Sequence, residues 1–169
     1  MIYMVCGPIG AGKTTIAHRL AEELGAIRFS EDEWLSRLFV PDAPSGLMDG
    51  SAEQIVQWAT GRYVRCREQI WQVCEQLIMQ GKQVVLDGGL STKEQRDELR
   101  DMAIMNSYQY QLHYVDADYH IRKNRVIKNS QEKSGTFPIT VTPALFDFME
   151  EFFEPPVGEE LTNAVVIKT

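Results

Sequence analysis

The sequence predicts a three-layer α/β fold of the P-loop NTPase kind, built on a parallel β-sheet with helices on both faces. Three observations carry that expectation. A short apolar run, "IYMVC", leads straight into the glycine loop "GPIGAGKTT", residues Gly7 to Thr15, and the loop runs into an amphipathic helix. Apolar runs then alternate with helical periodicity along the rest of the chain, the pattern of parallel strands joined by covering helices. Finally, 169 residues with 44% apolar side chains are enough for one core without staples.

Each element has its own signal. Ile16, Ala17, Leu20, Ala21 and Leu24 share one face of the first helix, which Gly25 closes. "AIRFS" reads as the second strand, and "EDEWLSRLF" as a short helix that Ser30 caps and that stops before Pro41. "PDAPSGLMDG" is a loop. Ser51 and Gln54 form a capping box for a long helix through Ile55, Ala59, Tyr63, Cys66, Ile70, Val73 and Leu77 to Gly81, with Gly61 as its weak point. "QVVLD" is a buried, parallel-type strand, and Ser91 with Glu94 is expected to cap "TKEQRDELRDMAIM". "YQLHYV" is the fourth strand and "DYHIRKNRVIKN" a basic helix. "SQEKSGTFPITV" is polar and punctuated by glycine and proline, Thr142 and Pro143 open a last helix to about Phe153, and "NAVVI" closes the sheet. With no repeat, low-complexity tract or linker, residues 1–169 are expected to form a single domain.

Charge and composition narrow the function. A net charge of -7 opposes long phosphate backbones, so nucleic acid is disfavoured as a partner. Cys6, Cys66 and Cys74 lack CxxC or Cys/His metal spacing and read as reduced core thiols, in keeping with a cytoplasmic protein. No apolar run approaches the ~20 residues of a membrane span, and nothing before Ile2 reads as a leader. His18, His113 and His120 are dispersed and form neither a triad nor a metal set. The oligomeric state is not encoded in any of these features.

The chemistry starts at the glycine loop. Gly7, Gly12, Lys13 and Thr14 satisfy GxxxxGK[ST] between a strand and a helix, so Gly7, Pro8, Ile9, Gly10, Ala11, Gly12, Lys13, Thr14 and Thr15 are expected to cradle the phosphates of ATP. Lys13 would neutralise β and γ oxygens, and the Thr14 hydroxyl would ligate Mg²⁺. The strand "VVLD" ends at Asp87 and continues with Gly88 and Gly89, without the second carboxylate that a hydrolytic ATPase uses to position water. No NKxD segment marks a GTPase. Both absences favour transfer to an organic acceptor, with Asp87 holding Mg²⁺ through water or orienting the acceptor.

The segments "GPIGAGKTT", "FSEDEWL", "VVLDGGLSTKEQRDEL", "RKNRVIKN" and "FPITVTPALFDFMEEFFEPP" together resemble the small P-loop kinases of the AAA_33 type, which group with zeta-toxin, chloramphenicol phosphotransferase and polynucleotide kinase folds. The resemblance implies a five-stranded parallel sheet of order 2-3-1-4-5, a basic kinase-type lid at about 122–141, and an Asp after the second strand that acts on the acceptor hydroxyl. Among Glu31, Asp32 and Glu33, one carboxylate is expected to face the site, and the resemblance makes it Asp32. Polynucleotide kinases place an arginine where Leu35 stands, with Arg37 two positions further on. That departure speaks against a nucleic-acid end.

Arg125 is the first choice for a lid cation that reaches the transferred phosphoryl group, and Lys128 stands where the family often has a second arginine. Trp34, Arg62 and Arg96 are acceptor-side candidates, Arg96 by match to a family arginine, while Trp58 and Tyr63 are possible pocket walls. The sequence thus predicts an ATP- and Mg²⁺-dependent kinase of a small hydroxyl-bearing acceptor. Two rivals stand beside it: a nucleotide-binding regulatory module with little transfer, and a 5'-hydroxyl polynucleotide kinase.

Overall fold

The computed structural model describes residues 1–88, 90–131 and 141–169. Five strands, β1 (Ile2–Cys6), β2 (Ile27–Ser30), β3 (Val84–Asp87), β4 (Tyr110–Asp116) and β5 (Val165–Lys168), form one sheet in the order β2-β3-β1-β4-β5. Every pairing is parallel. The helices are α1 (Lys13–Leu24), α2 (Glu31–Leu38), α3 (Ala52–Met79), α4 (Lys93–Met105), α5 (Tyr119–Gln131) and α6 (Pro143–Glu150).

Alternation along the strands builds two apolar layers, because successive side chains point to opposite faces. Ile2, Met4 and Cys6 pack with Ile70, Trp71 and Cys74 of α3 and Leu99 and Ala103 of α4 on one face. Val5 and Val85 pack with Ile16 and Ala17 of α1 on the other. A third cluster, centred on Phe146 of α6, seats Val126 of α5 and Ile9 of the glycine loop. The three cysteines are buried and free, and burial pushes the thiols of Cys6 and Cys74 up to about 12, so both stay protonated. Among the described residues, no helix is long and apolar enough to cross a membrane.

Local signals predict most boundaries, with two differences. The capping box of α4 is Thr92 with Gln95, one residue beyond the expected Ser91 and Glu94. Gln95 Oε1 accepts from the N–H of both Ser91 and Thr92, while the Ser91 carbonyl accepts from the N–H of Glu154, which keeps Ser91 outside the helix. α6 ends at Glu150 rather than near Phe153, its last carbonyls closed by tight turns before Pro155 and Pro156. α3 runs unbroken through Gly61, a cost of about 1 kcal/mol against Ala that a 28-residue helix packed on the core absorbs. The expected lid begins on α5, and its residues 132–140 lie outside those described.

Candidate active site

The strand register gathers the chemistry at one edge of the sheet. Asp87 stands level with Val5 on β1 and with Ser30 on β2, so the glycine loop, the start of α2 and the end of β3 emerge side by side. This is the C-terminal edge, where open parallel sheets bind ligands.

The glycine loop is shaped by close approach. Gly7 has φ +152°, and a Cβ there would lie 2.1 Å from the Val115 carbonyl oxygen. Gly10 has φ +76°, and its Cβ would meet the Arg122 carbonyl oxygen at 2.7 Å. Arg122 is itself buried and holds the loop from below. It donates to the carbonyls of Ile9 at 3.1 Å and Ala117 at 2.9 Å, and grips both Glu150 oxygens at 2.6 Å. Lys13 Nζ donates to the Pro8 carbonyl at 3.0 Å, and burial lowers its pKa against the pull of Asp32 and Asp87.

Two cavities meet at the loop. The larger, about 460 Å³, is lined by Gly10, Gly12, Thr14, Thr15 and, from α5, Arg125, while the smaller, about 220 Å³, is lined by Gly7, Ile9, Glu31, Tyr63, Arg67 and Gln95 among others. Lys13 and Asp32 line both. Pro8 and Ala11 sit within the loop, where Ala11 is fully buried and its carbonyl accepts from the Thr169 hydroxyl at 2.9 Å. Arg125 Nη1 donates to that same hydroxyl at 3.1 Å.

The three consecutive acids separate by role. Ser30 caps α2 through a 3.3 Å bond from the Glu33 N–H, which sets all three on the first turn. Asp32 accepts from the Tyr63 hydroxyl at 2.5 Å. Burial pushes its carboxyl above the ordinary range, while the Tyr63 hydrogen bond and the Lys13 charge draw it back. Glu31 also faces the smaller cavity, contrary to the expectation of one inward carboxylate, and takes Arg67 Nε and Nη2 at 2.9 and 3.2 Å. Glu33 turns instead to Arg28 at 2.8 Å.

Asp87 is 4% exposed, and its Oδ2 accepts from Arg28 Nε and Nη2 at 3.0 and 2.7 Å. Its Oδ1 has no partner among the described residues, and Asp87 lines neither of the two cavities but a narrow cleft beside them that it shares with Glu31, Arg67 and Gly88. With the Thr14 hydroxyl on the larger cavity, the donor set of hydroxyl and carboxylate oxygen suits a hard, hydrated cation such as Mg²⁺.

Three acceptor-side candidates line neither cavity. Trp34 packs edge-on against Phe29 at 6.3 Å, on the core. Arg62 stacks on Trp58 at 4.2 Å and donates to its carbonyl. Arg96 is 3% exposed, paired with Glu160 at 2.6 Å and bonded to the carbonyls of Leu90 and Glu154. It ties α4 to the segment after α6.

Sequence reasoning passed over Arg67 and Arg28, set Glu31 behind Asp32, and read Arg122 only as part of the basic lid. Arg67 had a usable signal. Thr60, Tyr63, Val64 and Arg67 all line the smaller cavity at spacing i, i+3, i+4, i+7, one face of α3, which leaves Arg62 and Arg65 to the side.

Comparison with known proteins agrees with this architecture. A family model, AAA_33, described as an AAA domain, matches residues 2–156. No curated protein matches the sequence. Among solved structures, a candidate kinase from Chloroflexus aurantiacus superposes with a TM-score of 0.74 at 12% identity, over 99% of this chain and 84% of that one. A sugar kinase from Janibacter gives 0.63 at 18% identity, over 99% and 84%. Kti12 of Chaetomium thermophilum, solved with ADP-AlF3, gives 0.67 at 15% identity, over 99% and 89%. At such identities the likeness is one of fold.

Proposed function

Because the chain belongs to the AAA_33 family of AAA domains, we propose that it is a kinase that moves the γ-phosphoryl group of ATP, with Mg²⁺, to a hydroxyl of a small molecule. The observation that carries this reading is that Lys13 and Asp32 line both cavities, so that a phosphate held by one and a hydroxyl held by the other would adjoin. A half-buried carboxylate at the junction of two cavities, its pKa raised, is the kind of group found at sites of proton transfer.

In this reading the loop N–H groups and Lys13 hold the β and γ phosphates. The Thr14 hydroxyl, with Asp87 through water, would hold Mg²⁺, which would supply positive charge to offset the phosphates. Asp32 aims the acceptor oxygen in line and takes its proton. The new O–P bond forms as the bond to the β-phosphate oxygen breaks, and ADP leaves. A carboxyl raised by burial is suited to that task near neutral pH. Arg125, on the wall of the larger cavity, meets the charge that spreads over the transferred oxygens.

The test is transfer of label from γ-labelled ATP to a panel of hydroxyl compounds. Label is expected on an organic acceptor. Label on inorganic phosphate alone, from a protein that binds ATP, would overturn the reading in favour of a regulatory nucleotide-binding module. Preferred transfer to an oligonucleotide 5' end, with binding that falls steeply as salt rises, would make the chain a polynucleotide kinase instead.

A further inference from the structure

The smaller cavity limits what can be phosphorylated. Its volume of about 220 Å³ lies under the roughly 300–1,000 Å³ of pockets for drug-sized ligands, a size for a single small ring or a short chain. Its lining is divided. Val64, Met149 and Phe153 present apolar surface, while Glu31, Arg67 and Gln95 add polar atoms to those of Lys13 and Asp32.

The polar wall is an ion pair, and its geometry is selective. Glu31 is 6% exposed and holds Arg67 through two parallel bonds at 2.9 and 3.2 Å. Arg67 Nη1 has no partner among the described residues, and each Glu31 oxygen keeps a lone pair beyond its bond to Arg67. The pair therefore offers a donor and an acceptor side by side. Gln95 spends its Oε1 on the caps of Ser91 and Thr92, which leaves its amide N–H₂ as a further donor. A hydroxyl, being donor and acceptor at once, satisfies such a wall. A carboxylate or phosphate can use only the donor and must lie against Glu31.

Charge bookkeeping points the same way. From α2 come Glu31 and Asp32, from α3 Arg67 and Tyr63, and from the glycine loop Lys13. Behind them Asp87 is matched by Arg28, which also takes Glu33. Arg67 is matched by Glu31, and Lys13 is committed to the nucleotide phosphates once these are bound. Among the described residues that line the cavity, no cation remains to balance an anionic acceptor, and a bound triphosphate makes the field more negative. A cationic acceptor would be drawn by that field, but a hydroxyl is the group that satisfies Arg67 Nη1 and the Glu31 lone pairs together.

We infer that the acceptor is an uncharged polyhydroxylated molecule of about one sugar ring, and that Glu31 and Arg67 are the pair that selects it. The inference rests on the kinase reading of the same site.

The test compares acceptors on the wild-type protein with Mg-ATP: neutral sugars and polyols, aldonic acids of the same chain length, and amino sugars. The neutral compounds are expected to have at least a tenfold higher kcat/KM. Preference for the acids or the amines overturns the inference while leaving the kinase reading intact. Transfer to no acceptor by a protein that binds ATP overturns both. Glu31→Gln then tests the residues, with ATP binding and melting temperature showing that the variant is folded. Freed of its counter-charge, Arg67 should raise the ratio of acid to neutral kcat/KM at least tenfold. An unchanged ratio in the folded variant removes Glu31 and Arg67 from the selection, and should the variant not fold, the wild-type comparison still decides the acceptor class.

Discussion

Tyr63 on α3 donates its hydroxyl to Asp32 Oδ1 on α2 at 2.5 Å, and this bond orients the carboxylate at the junction of the two cavities. A hydrogen bond to the ionised form favours ionisation, and here it works against burial, which pushes the Asp32 carboxyl up. Tyr63→Phe removes the donor and leaves the ring. The Asp32 pKa should therefore rise further, and the acidic limb of the kcat/KM profile should move to higher pH. A limb that stays in place or moves to lower pH in the variant would show that Asp32 is not the titrating base.

Asp32→Asn keeps the shape and removes the proton acceptor, so transfer should fall by about 10² or more while ATP affinity changes little. Stability should move the other way. An acid whose folded pKa is raised favours the folded state below its unfolded value, about 3.8, and that contribution is lost as pH rises through the folded value. The Asn variant should thus melt higher than wild type at neutral pH, with the gap closing toward pH 3.8. Melting curves and label transfer on one preparation check both halves.

Arg122 and Lys13 should separate loop support from phosphate binding. Arg122→Ala removes the grip on Glu150 and the bond to the Ile9 carbonyl, and should destabilise the fold by about 2–4 kcal/mol and weaken ATP binding with it. Lys13→Ala removes one bond to the Pro8 carbonyl, so it should keep its stability yet lose at least tenfold in ATP affinity. Denaturant unfolding and ATP titration give the two readouts. A destabilised Lys13 variant with normal ATP binding would contradict the assignment.

The Arg96–Glu160 pair should appear in acid stability rather than in transfer. Burial pushes Glu160 up, but the Arg96 guanidinium and the Val157 N–H outweigh it and hold the carboxyl below its ordinary range. Its contribution is present above the unfolded value of about 4.5 and disappears as pH falls through the folded value. Glu160→Gln leaves Arg96 buried without its counter-charge, a loss of about 3 kcal/mol at neutral pH that should shrink on acidification. Unfolding measured from pH 7 to pH 3 tests the trend.

Short-range patterns in the sequence determined a great deal. The apolar run before "GPIGAGKTT", the Ser51–Gln54 capping box and the Thr142–Pro143 start each depend on residues within a few positions, and each appears where it was expected. The strand order followed from the resemblance to known kinases, and the structure has it. Tertiary structure alone decided the partners in the site. Glu31 and Arg67 are 36 residues apart, Arg28 and Asp87 59, and Arg96 and Glu160 64. Whether an arginine is a pocket wall, a loop support or a solvated surface residue depends on which carboxylate the strand order and register bring to it. Local periodicity holds no record of that, which is why Arg96 read as an acceptor candidate and proved to be a buried tie, while Arg67, on the helical face of Tyr63, was passed over.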